Sequence, residues 1–415
     1  MHPCSTGARG SRSAGSILEE RAGAATAEDL ARLDVCWSIG HALQSVDLVR
    51  GADFQARHLL YALDAGEPGR VARALASEAI LAAMEGGRRG LDRAPRLVEQ
   101  AHAAAERSGA PHAIAWAARA AAGVAFHAPR FSEAVALAHR AVELFRKTCT
   151  GVVWDIGSIV ADWLLPALFH LGRLDDLAAR LPAHLKEAED LGALALSTSL
   201  RALAAPRILL VNDRPSEARR EAVDAIRRWP SRAFHLPHWY ALLTRATASL
   251  YEGDGMGAHA DVEGCWSELE DSPLLRVESV RVEALALRGA SAIAAAALGS
   301  DGEYALRVAE RSRRALGREP SAFARPFAAE LGAAIALARG NDARALALYE
   351  EAERAFGSLE MGLHAAAARR RRGEIASSDE GRSLLEGADA WMSDRGIARP
   401  DRIAAMLSPA PIGPL

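Results

Sequence analysis

The stretch "LARGNDARALALYEEAERAF", residues 337–356, sets Ala345, Tyr349 and Ala352 at offsets of four and three behind a Gly-Asn-Asp turn. Such offsets return to one face of an α-helix, so the three side chains form a single stripe. Two of them are alanines, which let a neighbouring backbone come close enough for facing side chains to interdigitate. A helix of this kind is made to lie against another helix.

The same grammar recurs outward from this stretch. Short turns, many with Gly or Pro, fall at 64–69, 107–112, 127–130, 170–173, 211–215, 251–257, 297–303 and 338–342. The segments between them run roughly 12–20 residues, ordinary helix lengths. Ala, Leu, Arg and Glu dominate these segments, β-branched residues are sparse, and no alternating run long enough for a strand stands out. The fold class expected is therefore all-α, a stack of antiparallel helical hairpins. Residues 1–25 lack periodicity and are expected to be disordered. The helical-repeat region is expected over 26–407, and a flexible tail over 408–415, where three prolines remove amide donors.

A second copy of the pattern is "GVAFHAPRFSEAVALAHRAVELF" (123–145), with Ala134, Ala138 and Ala141 in its second helix. A third, "LGRLDDLAARLPAHL" (171–185), keeps the turn and the apolar spacing. The pattern resembles the tetratricopeptide repeat, a helix-turn-helix of about 34 residues that buries its small-residue face against the next copy. That likeness implies a right-handed α-solenoid of degenerate hairpins.

Composition narrows the partners. Half of the 415 residues are hydrophobic, a quarter are charged, and the formal net charge is −3, so no global field favours nucleic acid or an anionic membrane. Among 50 basic residues only Lys147 and Lys186 are lysines, a skew that reads as GC-rich coding. Aromatics at 5% are too few for a base-stacking surface. Cys4, Cys36, Cys149 and Cys265 lie far apart with no CxxC pair, so neither a disulfide framework nor a zinc site has spacing support. Separate thiols, an N-terminus without an apolar h-region and the lack of a run of about 18 uncharged apolar residues lead to the expectation of a cytoplasmic protein.

A longer stretch, "SIGHALQSVDLVRGADFQARHLLYALDAGEPGRVARALASEAILAAMEGG" (38–87), resembles the start of the C-terminal helical-repeat region of large bacterial eukaryotic-like serine/threonine kinases. Further likeness lies in "CTGVVWDIGS" (149–158), "RAFHLPHWYALLTRA" (232–246), "LLRVESVRVEALALRG" (274–289), "AAAARRRRGE" (365–374) and "EGADAWMSDRGIARPDRIAAMLSP" (386–409). The likeness spans residues 30 to 410 and carries no catalytic motif. "HRA" (139–141) lacks the catalytic aspartate, "DFQ" (53–55) lacks the DFG glycine, and no GxxxxGK[ST] exists. The expectation is a non-catalytic scaffold or sensor arm, without cofactor or metal, that binds a protein or peptide, including a kinase or ATPase module. The alternative is an effector-binding regulatory domain that controls such a module.

The densest polar-aromatic cluster is "FHLPHWY" (234–240), and His235, His238, Trp239 and Tyr240 are the candidate binding residues. The competing reading makes them a helix start packed on the preceding hairpin. Arg57, His58, Arg70 and Arg73 are read as surface contacts and are not counted among the candidate binding residues. Asp53 is read as the N-cap of a helix beginning at Phe54, "GDGMG" (253–257) as a hairpin turn, and "RRRR" (369–372) as a solvated helix end. Trp116, Trp154 and Trp163 are expected in the core or between repeats.

Overall fold

The computed structural model describes residues 25–43, 47–231, 233–298, 302–376 and 378–411. Nearly all of the segment expected to be disordered, 1–25, lies outside the described residues, as do 412–415 of the tail. Among the described residues the chain is all-α, with no strand.

Nine consecutive pairs of helices pack as antiparallel hairpins. They are α1 (Ala27–Leu43) with α2 (Leu48–Ala65), α3 (Pro68–Glu85) with α4 (Gly87–Ser108), and α5 (Pro111–His127) with α6 (Phe131–Thr148). Next come α7 (153–171) with α8 (Leu174–Asp190), α9 (194–211) with α10 (Pro215–Arg227), and α11 (Leu236–Tyr251) with α12 (Gly255–Asp271). The last are α13 (Glu278–Ala296) with α14 (Gly302–Leu316), α15 (Ala324–Ala338) with α16 (Asp342–Ser358), and α17 (Gly362–Ile375) with α18 (Asp379–Ser393). A single helix, α19 (Pro400–Leu407), follows, and a 3₁₀ turn, Pro273–Arg276, precedes α13.

Helices α7 and α9 each contain a π-turn. In α7, Val160–Leu164 separates Val153–Ile159 from Leu165–Leu171; in α9, Leu200–Ala204 separates Leu194–Ser199 from Ala205–Val211. Each π-turn ends two residues before a proline, Pro166 or Pro206, whose ring clashes with the carbonyl four residues back, inside the π-turn. One extra residue in the turn accommodates that ring without ending the helix.

The opening stretch shows how each hairpin is made. Asn341 caps α16 by accepting the amide of Arg344 at 3.1 Å. Ala345, Tyr349, Ala352 and Phe356 then form a stripe with no exposed surface. Five hairpin turns share one backbone bond, from the amide that opens the second helix to the carbonyl five residues back: Arg130 to Ala125, Arg173 to Leu168, Arg214 to Leu209, Asp254 to Ser249 and Asn341 to Ala336, all 2.8–2.9 Å. Gly172, Gly253 and Gly340 supply the left-handed residue just before this amide. Asp213 takes the same conformation at φ 56, held by the Tyr251 hydroxyl, which donates to its carboxylate at 2.9 Å.

Positions 130, 173, 214 and 254 recur at intervals of 43, 41 and 40 residues. The repeat is therefore longer than the 34 or so residues expected from the resemblance. The extra length lies in the helices, which reach 22 residues in α4 and 19 in α13.

The two helices of a hairpin play different parts. In α5 eleven of 17 residues are buried, in α6 seven of 18. From the second hairpin on, the first helices are buried on most faces and form an inner layer, while the second helices bury one stripe and face outward; α1 buries only Leu33, Cys36 and Gly40. Inner helices also meet others five hairpins away: α3 packs on α13, and α7 on α17. In the same rhythm, α2 touches the 3₁₀ turn at Pro273, the Phe131 ring meets Phe323 at 6.2 Å, and Ala398 donates to the Val211 carbonyl at 3.0 Å. The Glu278 carboxylate accepts the Gly87 amide at 2.7 Å across the same interval. The path of hairpins returns on itself, and its inner layer surrounds a space.

Several expectations are corrected here. Helix α2 begins six residues before Phe54, capped by Asp47, whose carboxylate accepts the Arg50 amide at 3.0 Å. Asp53 lies within the helix and pairs with Arg57 at 3.0 Å. The 369–372 arginines are not a solvated end. Arg370 and Arg371 are buried, the former paired with Asp389 at 2.7 Å and both with Glu374, while Arg369 and Arg372 share Glu353. Nor is the tail free at its start: Ser408 is fully buried and its carbonyl accepts from Arg371 Nε at 2.7 Å. His58 is fully buried, and Arg70 and Arg73 bind Asp34. The 253–257 glycines do form a hairpin turn, with Asp254 accepting the Gly257 amide at 2.8 Å.

Helix α9 spans Leu194–Val211, long and apolar enough by composition to cross a bilayer, with half of that window buried inside the fold. Its Arg201 is ion-paired with Glu189 and Glu221.

Two stability predictions follow from the buried stripe and its neighbours. The Tyr349 hydroxyl is buried, with the Ser408 side chain as its hydrogen-bonding neighbour. Tyr349→Phe should cost no more than about 1 kcal/mol, whereas Tyr349→Ala should cost about 3–4 kcal/mol, both read from urea midpoints. Burial pushes Glu330 from an ordinary 4.5 up to about 8. Between these values the folded chain keeps a proton that the unfolded chain has released, so this contribution to stability is complete below the lower value and is lost as pH climbs through the upper one. Glu330→Gln should flatten the fall in melting temperature from pH about 5 to 9, measured by thermal scans across that range.

Candidate functional site

The inner helices of the first seven hairpins and the 229–240 segment enclose a cavity of about 1380 Å³. Its walls come from α1 (Trp37, Ser38, His41), the end of α3 (Ile80, Met84), α5 (Arg119, Phe126), α7 (Trp154 to Pro166) and α9 (Leu194 to Arg207). Trp229, Phe234, His235 and Tyr240 close another side, and Glu268, Asp271 and Glu283 complete it. Large concave spaces with mostly apolar walls and a few placed polar groups are the usual form of a ligand site.

The π-turns determine much of what faces this space. Asp162 and Trp163 lie inside the π-turn of α7, Leu203 inside that of α9, and Arg207 directly after Pro206. All four line the cavity. A proline in an inner helix therefore has a positional consequence: the widened turn places a charged residue toward the interior of an otherwise apolar helix.

Two arginines stand in the wall. Arg119 is 3% exposed, its guanidinium between Trp116 at 4.5 Å and Trp163 at 4.9 Å, and its Nη2 donates to Ser158 Oγ at 3.1 Å. Arg207 lies over the Phe169 ring at 4.0 Å. Burial lowers the pKa of both; nearby carboxylates, Asp155 and Asp162 for the first and Glu283 for the second, oppose that effect. Neither arginine has a carboxylate within ion-pair distance among the described residues. Their charge is stabilised by ring faces and by carboxylates further off.

The carboxylates are the less satisfied partners. Burial pushes Asp162 up to about 6, against the pull of Arg119. Asp155 is 6% exposed, its Oδ1 accepts no hydrogen bond, and its pKa too is raised by burial. His41 Nε2 lies 3.9 Å from that oxygen. Glu283 is raised by burial and sits 3.8 Å from His170 Nε2. Burial also holds the Tyr240 hydroxyl well above its ordinary value, helped by the charges of Asp162 and Glu283. Beyond Arg207 and Glu283 lies a second cavity of about 110 Å³, with His170, Glu330 and His364 in its wall.

The four residues of the 234–240 cluster do not converge. His235 and Tyr240 line the cavity. Trp239 is 1% exposed and belongs to the core. His238 serves the helix start, its Nδ1 accepting the His235 amide at 3.2 Å. Trp116 and Trp163 are buried as expected, but Trp154 is 51% exposed and lies at the cavity's edge. Arg119, Asp155, Asp162, Arg207 and Glu283 escaped the sequence reading. For Arg119, Asp162 and Arg207 a signal was present, since "ARAAAG", "VADWLLP" and "APRILLV" each place one charge in an apolar run.

No cluster of three or more His, Cys, Asp or Glu side chains suited to a metal ion occurs among the described residues. No family model and no curated protein matches this sequence.

The position of Trp154 is open to a direct check. Replacing this exposed indole by Trp154→Phe should remove most of the acrylamide-quenchable tryptophan emission, while the unfolding midpoint moves by less than about 0.5 kcal/mol. Steady-state quenching of both proteins measures it.

Proposed function

We propose that the chain is a non-catalytic recognition module whose ligand is held in the cavity between the inner helices. The observation that carries this reading is the cavity itself, about 1380 Å³, with tryptophans and buried charges facing it. Burying arginines and carboxylates without close partners costs stability, and such a cost is common at sites that meet a ligand. In this reading the chain is a right-handed α-solenoid of degenerate tetratricopeptide-like hairpins. The recurring hairpin turn and the contacts at five-hairpin intervals support it.

The likeness to the repeat region of bacterial serine/threonine kinases gives the module a role. It is a cytoplasmic sensor arm that takes up an effector and controls a kinase or ATPase module, in cis or in trans. Because the inner layer is built from α1 through α17, a ligand that touches several inner helices alters how the hairpins pack on one another. That packing is the route by which occupancy reaches a docked partner.

A second reading has its own observation. Val35, Val49, Leu60, Tyr61 and Leu63, all in the first hairpin, are exposed apolar residues, with Leu60 at 66%. A surface of this kind suits a protein or peptide partner, so effector binding and scaffolding can reside in different parts of one chain.

The cavity reading is tested with Prodan, a neutral solvatochromic naphthalene dye. Wild-type protein should bind it with a blue shift and quench tryptophan emission by energy transfer. Ser199→Trp, which fills the wall of the cavity, should weaken dye binding at least about tenfold while the far-ultraviolet circular dichroism is retained. Equal binding by both proteins would place the dye elsewhere and remove the reading.

A further inference from the structure

Resting on the cavity reading above, the charge distribution identifies the chemistry of the occupant. Six carboxylates line the cavity, Asp47, Asp155, Asp162, Glu268, Asp271 and Glu283, against two arginines and no lysine. Both arginines are already engaged by ring faces, Arg119 by Trp116 and Trp163, and Arg207 by Phe169. Of the carboxylates, Asp47 is occupied in capping α2, and Asp155 and Glu283 each have a histidine nitrogen at ion-pair distance, His41 at 3.9 Å and His170 at 3.8 Å. Asp155, more than nine-tenths buried, has an oxygen that accepts no hydrogen bond, and Asp162 makes neither a hydrogen bond nor an ion pair among the described residues. Asp162, Glu283 and Tyr240 all line this one cavity.

The rest of the wall is mostly apolar, aliphatic and aromatic together. Trp154, Trp229, Phe234 and Tyr240 line it with Trp37 and Trp163, whose rings already carry Arg73 at 4.5 Å and Arg119 at 4.9 Å. Ring faces carry a negative quadrupole, so they attract cations as the carboxylates do, and they repel anions. The apolar area of the same rings favours a ligand with a substantial hydrocarbon body.

We propose that the cavity takes an amphiphilic organic cation, with its apolar, ring-bearing body against the tryptophans and its positive centre facing Asp162 and Glu283. A delocalised or quaternary cation suits this site better than a primary ammonium, because it loses less hydration on entering an apolar space and needs no ring of hydrogen-bond acceptors. The volume admits a molecule of several fused or linked rings.

The test uses tetraphenylphosphonium and tetraphenylborate, which have nearly the same shape and opposite charge. Each is titrated into the full chain preloaded with Prodan, with displacement and tryptophan quenching as readouts. The phosphonium should displace the dye at a concentration at least about tenfold lower than the borate, and Asp162→Asn and Glu283→Gln should each weaken it roughly three- to tenfold. The melting temperature of each variant, measured alongside, separates lost binding from lost folding. Tighter binding of the borate would overturn the proposal and assign the site to anions through Arg119 and Arg207. Phosphonium binding untouched by both substitutions would overturn it as well. If neither ion displaces Prodan while Prodan itself binds, the charge assignment falls and the cavity reading stands; if Prodan does not bind, both fall.

Discussion

The structure depends on the close approach of alanine-rich helices. Ala72, Ala76, Ala79 and Ala83 in α3, and Ala113, Ala117, Ala120 and Ala122 in α5, are all buried, and these two inner helices pack directly on each other. Small side chains let backbones draw together, and dispersion contacts then accumulate along the whole length of the pair. Larger side chains in the same stripe would hold the inner helices apart and open the layer. The approach of α3 to α13 and of α7 to α17 would be lost with it, and the enclosed space would become an open groove.

Against this apolar background the few inward charges stand out. A guanidinium or carboxylate in a low-dielectric wall loses its hydration, and only good geometry compensates. Arg119 finds two indoles and a serine, whereas Asp162 and Glu283 find only distant positive charge. By contrast, the charges at the other end of the chain are closely paired: Arg370 and Arg371 meet Glu374, and Arg369 and Arg372 meet Glu353. One buried set is satisfied internally and serves packing. The other is left with capacity toward the cavity.

Much of the architecture was legible in the sequence, because helix periodicity and turn chemistry are local. Ala345, Tyr349 and Ala352 fall where their spacing puts them, and Gly172, Gly253 and Gly340 occupy the left-handed turn position that their residue type suits. Capping was read one site too late: Asp47 starts α2, and Asp53, six residues on, pairs with Arg57. The four arginines at 369–372 were legible as a helix but not as a buried one, since their partners Glu353 and Asp389 lie on neighbouring helices. The candidate site was the least legible part. His235 and Tyr240 come from the quoted cluster, but Asp162, Arg207 and Glu283 come from three other helices that meet only when the hairpins curve back. Asp162 and Arg207 each stand alone in an apolar run, a signal that marks a residue without saying what it faces, and Glu283 is one of four charges in α13 with nothing to set it apart. Pro166 and Pro206, 40 positions apart, mark where the inner helices widen, but a proline alone does not distinguish a helix end from a π-turn.

The central claim is that the inner layer holds a cationic ligand beside Asp162 and Glu283. Crystals of the full chain grown with tetraphenylarsonium, measured at the arsenic edge, would locate such a cation directly. The account predicts one anomalous peak within the cavity, closer to Asp162 and Glu283 than to Arg119 or Arg207. A peak on the outer helices or against the exposed face of the first hairpin, with the cavity empty, would contradict it.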